Sequence, residues 1–351
     1  MEIMPKISVV MPVFRGEQYL NEALESILLQ SFTDFECIIV CDEPTPSTRQ
    51  LLSRCQSEDT RVNVIYHDER IGLIASLNLG CRKSRGEYIA RMDADDIAEP
   101  ERFARQVQYL DQHPKVGVVG NQALLIDEEG TVIRSVTLPT EPVVIRWHML
   151  FENCLYHPSV MIRKEVLDEA GSYNEEATAI EDFDLWSRIQ RIADLANLSE
   201  PLLRYRVNPG SITFNNLQTQ KTTTAEIQFA EIERYLQRDL TEQERTLLLD
   251  LILIRPLESN KDLDELITLL DRIQHSFLEK ERPSKDERRA IQRDLSQQML
   301  IITYLAKGAS PLKRVRTVLK CWYLNPWLPA TLVHLVKRYL VKDRVVKSAT
   351  A

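Results

Sequence analysis

Three carboxylates, Asp93, Asp95 and Asp96, fall within the four positions that close the segment Arg91-Met-Asp-Ala-Asp-Asp96. The apolar stretch Tyr88-Ile-Ala90 precedes them and Pro100 follows, so they stand where a strand should end. Along an extended chain Asp93 and Asp95 point to one side and Asp96 to the other. Carboxylates this close repel one another, and a surface turn has no evident need for them. A hard divalent cation removes the repulsion and can bridge to phosphate oxygens, as Mg²⁺ does. The spacing points to metal-assisted chemistry on a phosphorylated ligand. A solvated acidic turn is the plain alternative, and Asp-x-Asp alone does not decide between them.

The surrounding elements must gather these groups. Residues 7–11 form a β-branched run that Pro12 is expected to stop, and 18–30 place Leu20, Ala23, Leu24, Ile27 and Leu28 at helical spacing. Residues 35–40 and 62–66 read as buried strands, and a helix over 75–84 leads through Gly86 to the strand before the aspartates. Alternation of this kind predicts an α/β fold with a parallel sheet and helices on both faces. Ligands in such sheets sit beyond the carboxyl ends of the strands. Pro12-Val-Phe14, Asp42 and the Asp93 cluster all lie at such ends, so one rim collects them.

Further along, 100–113 reads as a helix and 116–119 as a short strand. Residues 123–126 and 132–136 form a hairpin around Asp127-Glu-Glu-Gly130. A helix over 183–192 follows Glu181-Asp182, and 202–207 resembles a closing strand. Beyond about Asn215 the chain turns helical, with a capping box at Thr241-Glu-Gln-Glu244. Nine of the ten glycines lie at or before Gly210, which separates a turn-rich part, 1–215, from a helical part, 216–351.

At 351 residues the chain can hold two domains, and 44% apolar with 27% charged residues excludes disorder and a membrane bundle. The six cysteines are scattered without a Cys-x-x-Cys pair, a pattern of reduced, buried thiols in a cytosolic protein. No secretory segment or membrane span is expected, so a cytoplasmic location follows. Residues 311–351 hold nine Lys or Arg against Asp343, a balance of +8 that leaves −16 on residues 1–310 of a chain whose total is −8. Their two basic amphipathic stretches, with Trp322, Tyr323 and Trp327 between them, suit an anionic membrane surface or packing on the chain's own body. Nucleic acid is excluded as a partner, because the acidic body repels a phosphate backbone.

With these pieces in order, the chain resembles the family 2 glycosyltransferases, the inverting kind with a GT-A fold. The resemblance covers about residues 5–210 and rests on an ordered series of segments. They are Val9-Val-Met-Pro-Val-Phe14 with Glu17, Ala75-Ser-Leu-Asn-Leu-Gly80, Arg85-Gly-Glu-Tyr-Ile-Ala-Arg-Met-Asp-Ala-Asp-Asp96 and Pro100-Glu-Arg-Phe103. His157-Pro-Ser-Val-Met161, Glu181-Asp-Phe-Asp-Leu-Trp186 and Tyr205-Arg-Val207 complete it. The family implies a Rossmann-like mixed sheet and transfer from a nucleotide-sugar donor, UDP-linked by preference, to a saccharide or lipid-linked saccharide in polysaccharide or glycolipid synthesis.

It also implies roles for named residues. Pro12, Phe14, Glu17, Asp42, Arg70, Asn78, Asp93 and Ala94 would bind the donor, with Asp42 reading the base, Glu17 accepting from a ribose hydroxyl and Asp93 contacting the ribose. Asp95 would hold Mg²⁺ or Mn²⁺ against the diphosphate, and Asp182 would be the catalytic base; as a bland alternative, Asp182 caps the helix that follows it. The chain departs from the family at Cys41-Asp-Glu-Pro-Thr45, where relatives usually carry Asp-Asp-Gly-Ser, and at Asn208, where they often carry histidine. The altered loop keeps open a rival function, a non-catalytic nucleotide-sugar-binding scaffold.

Overall fold

Seven of the eight residues of β1 (Ile7–Phe14) are buried and only Phe14 is exposed. β-branched residues on both faces suit a strand covered from both sides. The computed structural model describes residues 4–14, 18–207 and 217–306, with Thr317 and Cys321. They divide into two units, Met1–Ile145 with Asn153–Phe214, and Arg146–Glu152 with Asn215–Ala351.

In the first unit β1 lies parallel to β2 (Phe35–Asp42) on one side and to β4 (Tyr88–Arg91) on the other, and β3 (Val62–His67) extends the β2 edge. The helices between these strands are α1 (Leu20–Leu28), α2 (Pro46–Glu58) and α3 (Leu73–Lys83). Thr45 caps α2 by accepting from Thr48 N at 3.2 Å, and Pro46 suits its first turn. The order β3-β2-β1-β4 reverses direction at β1, and the crevice between β1 and β4 is where such sheets take their ligands.

β1 does not stop at Pro12. Its pairing with β4 ends at Val10 and Arg91, with Met92 N donating to Val10 O at 3.2 Å. Pro12 faces the same side two residues later, where β4 has already turned away, so its missing N–H leaves no bond unmade. Gly86 lets β4 start against β1: a Cβ there would lie 2.5 Å from Ser8 N. Ser8 Oγ accepts from Gly86 N at 2.8 Å, and Glu36 accepts from Arg85 N and pairs with its guanidinium. The Arg85-Gly86 segment therefore ties three strands together at the amino end of the sheet, away from the aspartates.

The sheet continues as β4-β8-β6-β9-β5, with β8 (Met161–Arg163), β6 (Val116–Ile126), β9 (Asp194–Arg206) and β5 (Ile97–Ala98), and β7 (Val132–Val136) pairs with β6. β8 runs antiparallel to β4 and β6, which makes the sheet mixed. β6 is one strand of eleven residues, where the sequence suggests a short strand and a separate hairpin arm. The buried amides of Asn121 and Gln122 interrupt the apolar pattern but are bonded internally, Gln122 Nε2 reaching Leu198 O at 2.9 Å. β9 is likewise longer than 202–207, because it passes through Pro201 at a shift in its register with β6. The remaining helices of this unit are α4 (Arg102–Gln112), α5 (Pro142–His148, whose last three residues belong to the second unit), α6 (Lys164–Glu169) and α7 (Glu181–Ile189).

The second unit contains α8 (Leu217–Leu236), α9 (Glu242–Ile252), α10 (Asn260–Glu281) and α11 (Lys285–Leu305). The expected box at Thr241 and Glu244 caps α9, and a second at Ser284 and Glu287 caps α11. Trp147 is fully buried in this unit, its indole N–H donating to Asp294 at 2.7 Å and its ring 5.3 Å from that of Phe277. The basic stretches of 311–351 lie outside the described residues except Thr317 and Cys321. No helix among the described residues is long and apolar enough to cross a membrane.

Candidate active site

β4 ends at Arg91, and residues 92–96 turn before β5. Arg91 is 4% exposed and lies 2.5 Å from Asp93 through Nη1, so a buried charge anchors the first aspartate. Asp95 occupies the turn, and Asp96 points inward, where Oδ1 accepts from Arg206 N at 2.8 Å. One carboxylate oxygen from each of Asp93, Asp95 and Asp96 falls within 4.8 Å of the others. Alternation would have separated Asp96 from the other two; the turn brings it back.

The crowding shifts the acids. Burial and then the charge of Asp93 push Asp95 up to about 6. Burial, followed by Asp93 and Asp95, holds Asp96 well above the usual carboxylate range. Asp96 Oδ2 is buried with no hydrogen-bond partner. Three hard oxygen donors, one of them lacking a partner, fit Mg²⁺ or Mn²⁺.

Phe14 and Asp42 stand side by side at the ends of β1 and β2. The two Asp42 oxygens accept from Ile71 N and Gly72 N, each at 2.8 Å. Gly72 holds φ +84°, a backbone state that favours glycine, and this lets the 70–72 loop close over the carboxylate. Asp42 thus holds the loop that carries Arg70, whose guanidinium lies 4.6 Å from the Phe14 ring centroid. Phe14, 43% exposed, and Arg70 make an open stacking surface at the rim. Pro12 is buried behind it, and Ala94 sits in the acidic turn. Asn78 is committed to a loop, donating to Tyr173 O at 2.9 Å and accepting from Tyr173 N at 3.1 Å. Glu17 and Asn208 lie outside the described residues.

Asp182 is in the first turn of α7, where Ile180 and not Asp182 takes the capping position. Asp182 Oδ1 accepts from Phe183 N at 2.7 Å and Oδ2 from the Asn153 amide at 2.8 Å. Burial raises Asp182 above the usual carboxylate range, with these two bonds and the Arg91 charge opposing. Burial and then the Asp182 charge push the neighbouring Glu181 up to about 7. Arg91 acts on Asp95, Asp96, Glu181 and Asp182 alike, so one buried guanidinium serves both acidic pairs. His157 is packed inside, its Nε2 2.8 Å from the Tyr173 hydroxyl; burial, then Arg91, keeps the ring neutral. Trp186 is fully buried, a core residue. Asn153 carried no signal in the sequence, since a lone asparagine just before the His157–Met161 segment reads as loop.

Comparison with known proteins agrees with this geometry. The family described as Glycosyl transferase family 2 matches residues 8–171. An uncharacterized glycosyltransferase of Haemophilus influenzae is 31% identical over 249 residues, which cover 68% of this chain and 76% of that protein. The O-antigen biosynthesis glycosyltransferase WbnJ of Escherichia coli is 34% identical over 233 residues, 64% of this chain and 86% of its own. Staphylococcus aureus TarS 1–349 in complex with UDP-GlcNAc shares the fold with a TM-score of 0.54 at 18% identity, covering 89% of each chain. The chain belongs to glycosyl transferase family 2. Its first unit has the GT-A fold, and helices follow it.

Proposed function

We propose that the chain is an inverting glycosyltransferase that moves a hexosyl or N-acetylhexosaminyl group from a nucleoside-diphosphate sugar, UDP-linked by preference, to an acceptor hydroxyl in surface polysaccharide or glycolipid assembly. The observation that carries this reading is the convergence of Asp93, Asp95 and Asp96 within 4.8 Å beside the β1–β4 crevice. The relatives named for O-antigen and amylovoran biosynthesis support a saccharide or lipid-linked saccharide acceptor. The UDP-GlcNAc-bound neighbour supports the donor class, and the GDP-Man and Mn²⁺ complex of a Pyrobaculum calidifontis mannosyltransferase supports the metal.

In this reading Phe14 and Arg70 stack against the base over Pro12, and Asp42 keeps the Arg70 loop closed with lone pairs left for the ring's imide N–H. Asp93 and Ala94 meet the ribose, Glu17 accepts from a ribose hydroxyl, and Asn78 supports the pocket through Tyr173. Asp95, with Asp96 behind it, would hold Mg²⁺ or Mn²⁺, which when bound supplies Lewis-acid assistance to the leaving diphosphate. Asp182 takes the acceptor hydroxyl proton as the new C1–O bond forms, and the old C1–O bond breaks on the opposite face to release the nucleoside diphosphate. The raised value of Asp182 makes it a stronger base than an exposed aspartate. On charge alone, we assign the 311–351 tail to anionic lipid at the cytoplasmic face.

The test is nucleoside diphosphate release from UDP-, GDP- and dTDP-sugars with lipid-linked saccharide acceptors and Mn²⁺. Release with one donor, and a product of opposite anomeric configuration by NMR, is expected. Retained configuration would remove the assigned role of Asp182.

A further inference from the structure

Arg206, at the end of β9, is 3% exposed, and its hydrogen bonds converge on the back of the acidic turn. Its amide donates to Asp96 Oδ1, and its Nε donates to the Asp95 carbonyl, both at 2.8 Å. Nη1 donates to the carbonyls of Asp127 at 3.0 Å and Glu128 at 2.9 Å, in the β6–β7 turn. Nη2 reaches Glu22 of α1 at 2.7 Å, and the guanidinium lies 4.1 Å from the Tyr19 ring centroid. One side chain thus joins the acidic turn to α1 and to the hairpin, using each nitrogen of its fork. Lysine has one nitrogen and cannot reproduce that set.

We propose that Arg206 is the positioning residue of the acidic turn: its side chain fixes the Asp95 backbone against α1 and the hairpin, beside the main-chain amide that holds Asp96 in any variant, so that the three carboxylates converge and bind a divalent cation. The consequence for the cation rests on the proposed function; the consequence for the turn does not. Arg206 touches no reacting atom, and it acts through the two aspartates. Hydrogen bonds to charged groups of this kind hold local structure by roughly a factor of ten or more.

Two measurements on the full chain separate the parts. Hydrogen exchange of the 92–98 backbone in Arg206→Lys is expected to speed up about tenfold, with the β1–β2 core unchanged. Glu22→Ala, which removes only the outer partner and touches nothing in the turn, should act in the same direction by a smaller factor and keeps the test alive if Arg206→Lys does not fold. Unchanged exchange at 92–98 in the folded variants overturns the proposal whatever the cation does. Mn²⁺ binding, followed by electron paramagnetic resonance with UDP present, should weaken about tenfold in Arg206→Lys. A merely structural arginine would lower the melting temperature and leave the Mn²⁺ affinity of the folded protein unchanged, and that result also overturns the proposal. If the wild-type chain and Asp95→Asn bind Mn²⁺ alike, the metal reading of the turn fails, while exchange at 92–98 still decides the role of Arg206.

Discussion

Asn153 donates its side-chain amide to Asp182 Oδ2 at 2.8 Å, and the same asparagine accepts from Leu155 N at 3.1 Å, which fixes the direction of the amide. The bond favours the charged form of Asp182 against the burial that disfavours it. Arg91 also acts on Asp182, stabilising its charge, and the Asp182 charge in turn raises Glu181 and Tyr173. Asn153→Ala removes one donor and leaves those groups in place. The acid limb of the kcat/KM profile is expected to move to higher pH, and an unmoved limb would separate Asn153 from the base.

Asp182→Asn keeps the shape of the first turn of α7 and removes the proton acceptor. A loss in kcat of about 10²–10⁴ is expected, with donor affinity close to wild type in equilibrium binding. A variant with near wild-type turnover would leave Asp182 a structural carboxylate held by Phe183 N and Asn153.

Glu181 gives a stability prediction with a definite sign. Its value rises from 4.5 to about 7, so between those pH values the native chain keeps a proton that the unfolded chain has lost. Stability from this group is therefore lost as pH rises through that window. Glu181→Gln should raise the urea midpoint at pH 8 relative to wild type, and the difference should shrink toward pH 5. A lower midpoint at pH 8 would mean that the charged form is better paired than burial indicates.

Gly86→Ala tests the sheet at its amino end. The added methyl would meet the Ser8 and Ile7 backbone at 2.5 and 2.7 Å, and backbone inside a parallel sheet cannot give way cheaply. A loss of about 1–3 kcal/mol in denaturant unfolding is expected. The β4 end that carries the acidic turn lies at the opposite end of the strand, so donor binding by the folded variant should persist.

The acidic turn, the rim of β1 and β2, and the α7 start were legible in the sequence because their signals are local: a strand followed by carboxylates, or an acidic pair before an apolar helix. Their partners were not. Arg206 meets Asp96 across 110 residues and Glu22 across 184, and no window of sequence contains both ends. Pro12 looked like a strand end because the open edge beside it depends on where β4 leaves. Asn121 and Gln122 broke the apolar run of β6 because their internal partners lie on other segments. Residues 146–152 fall with the helical unit, since the burial of Trp147 against Asp294 and Phe277 is a long-range fact.

The most direct test of the account is thermal melting of wild type and Asp95→Asn with UDP-, GDP- and dTDP-sugars, each with and without Mn²⁺. Ligand at a hundredfold excess over its Kd stabilises the folded state by about 2.7 kcal/mol. The account predicts a rise in melting temperature for one nucleotide in wild type that requires Mn²⁺ and disappears in Asp95→Asn. The same rise in both proteins, or none with any donor, would contradict a metal-dependent donor site at the Asp93–Asp96 turn.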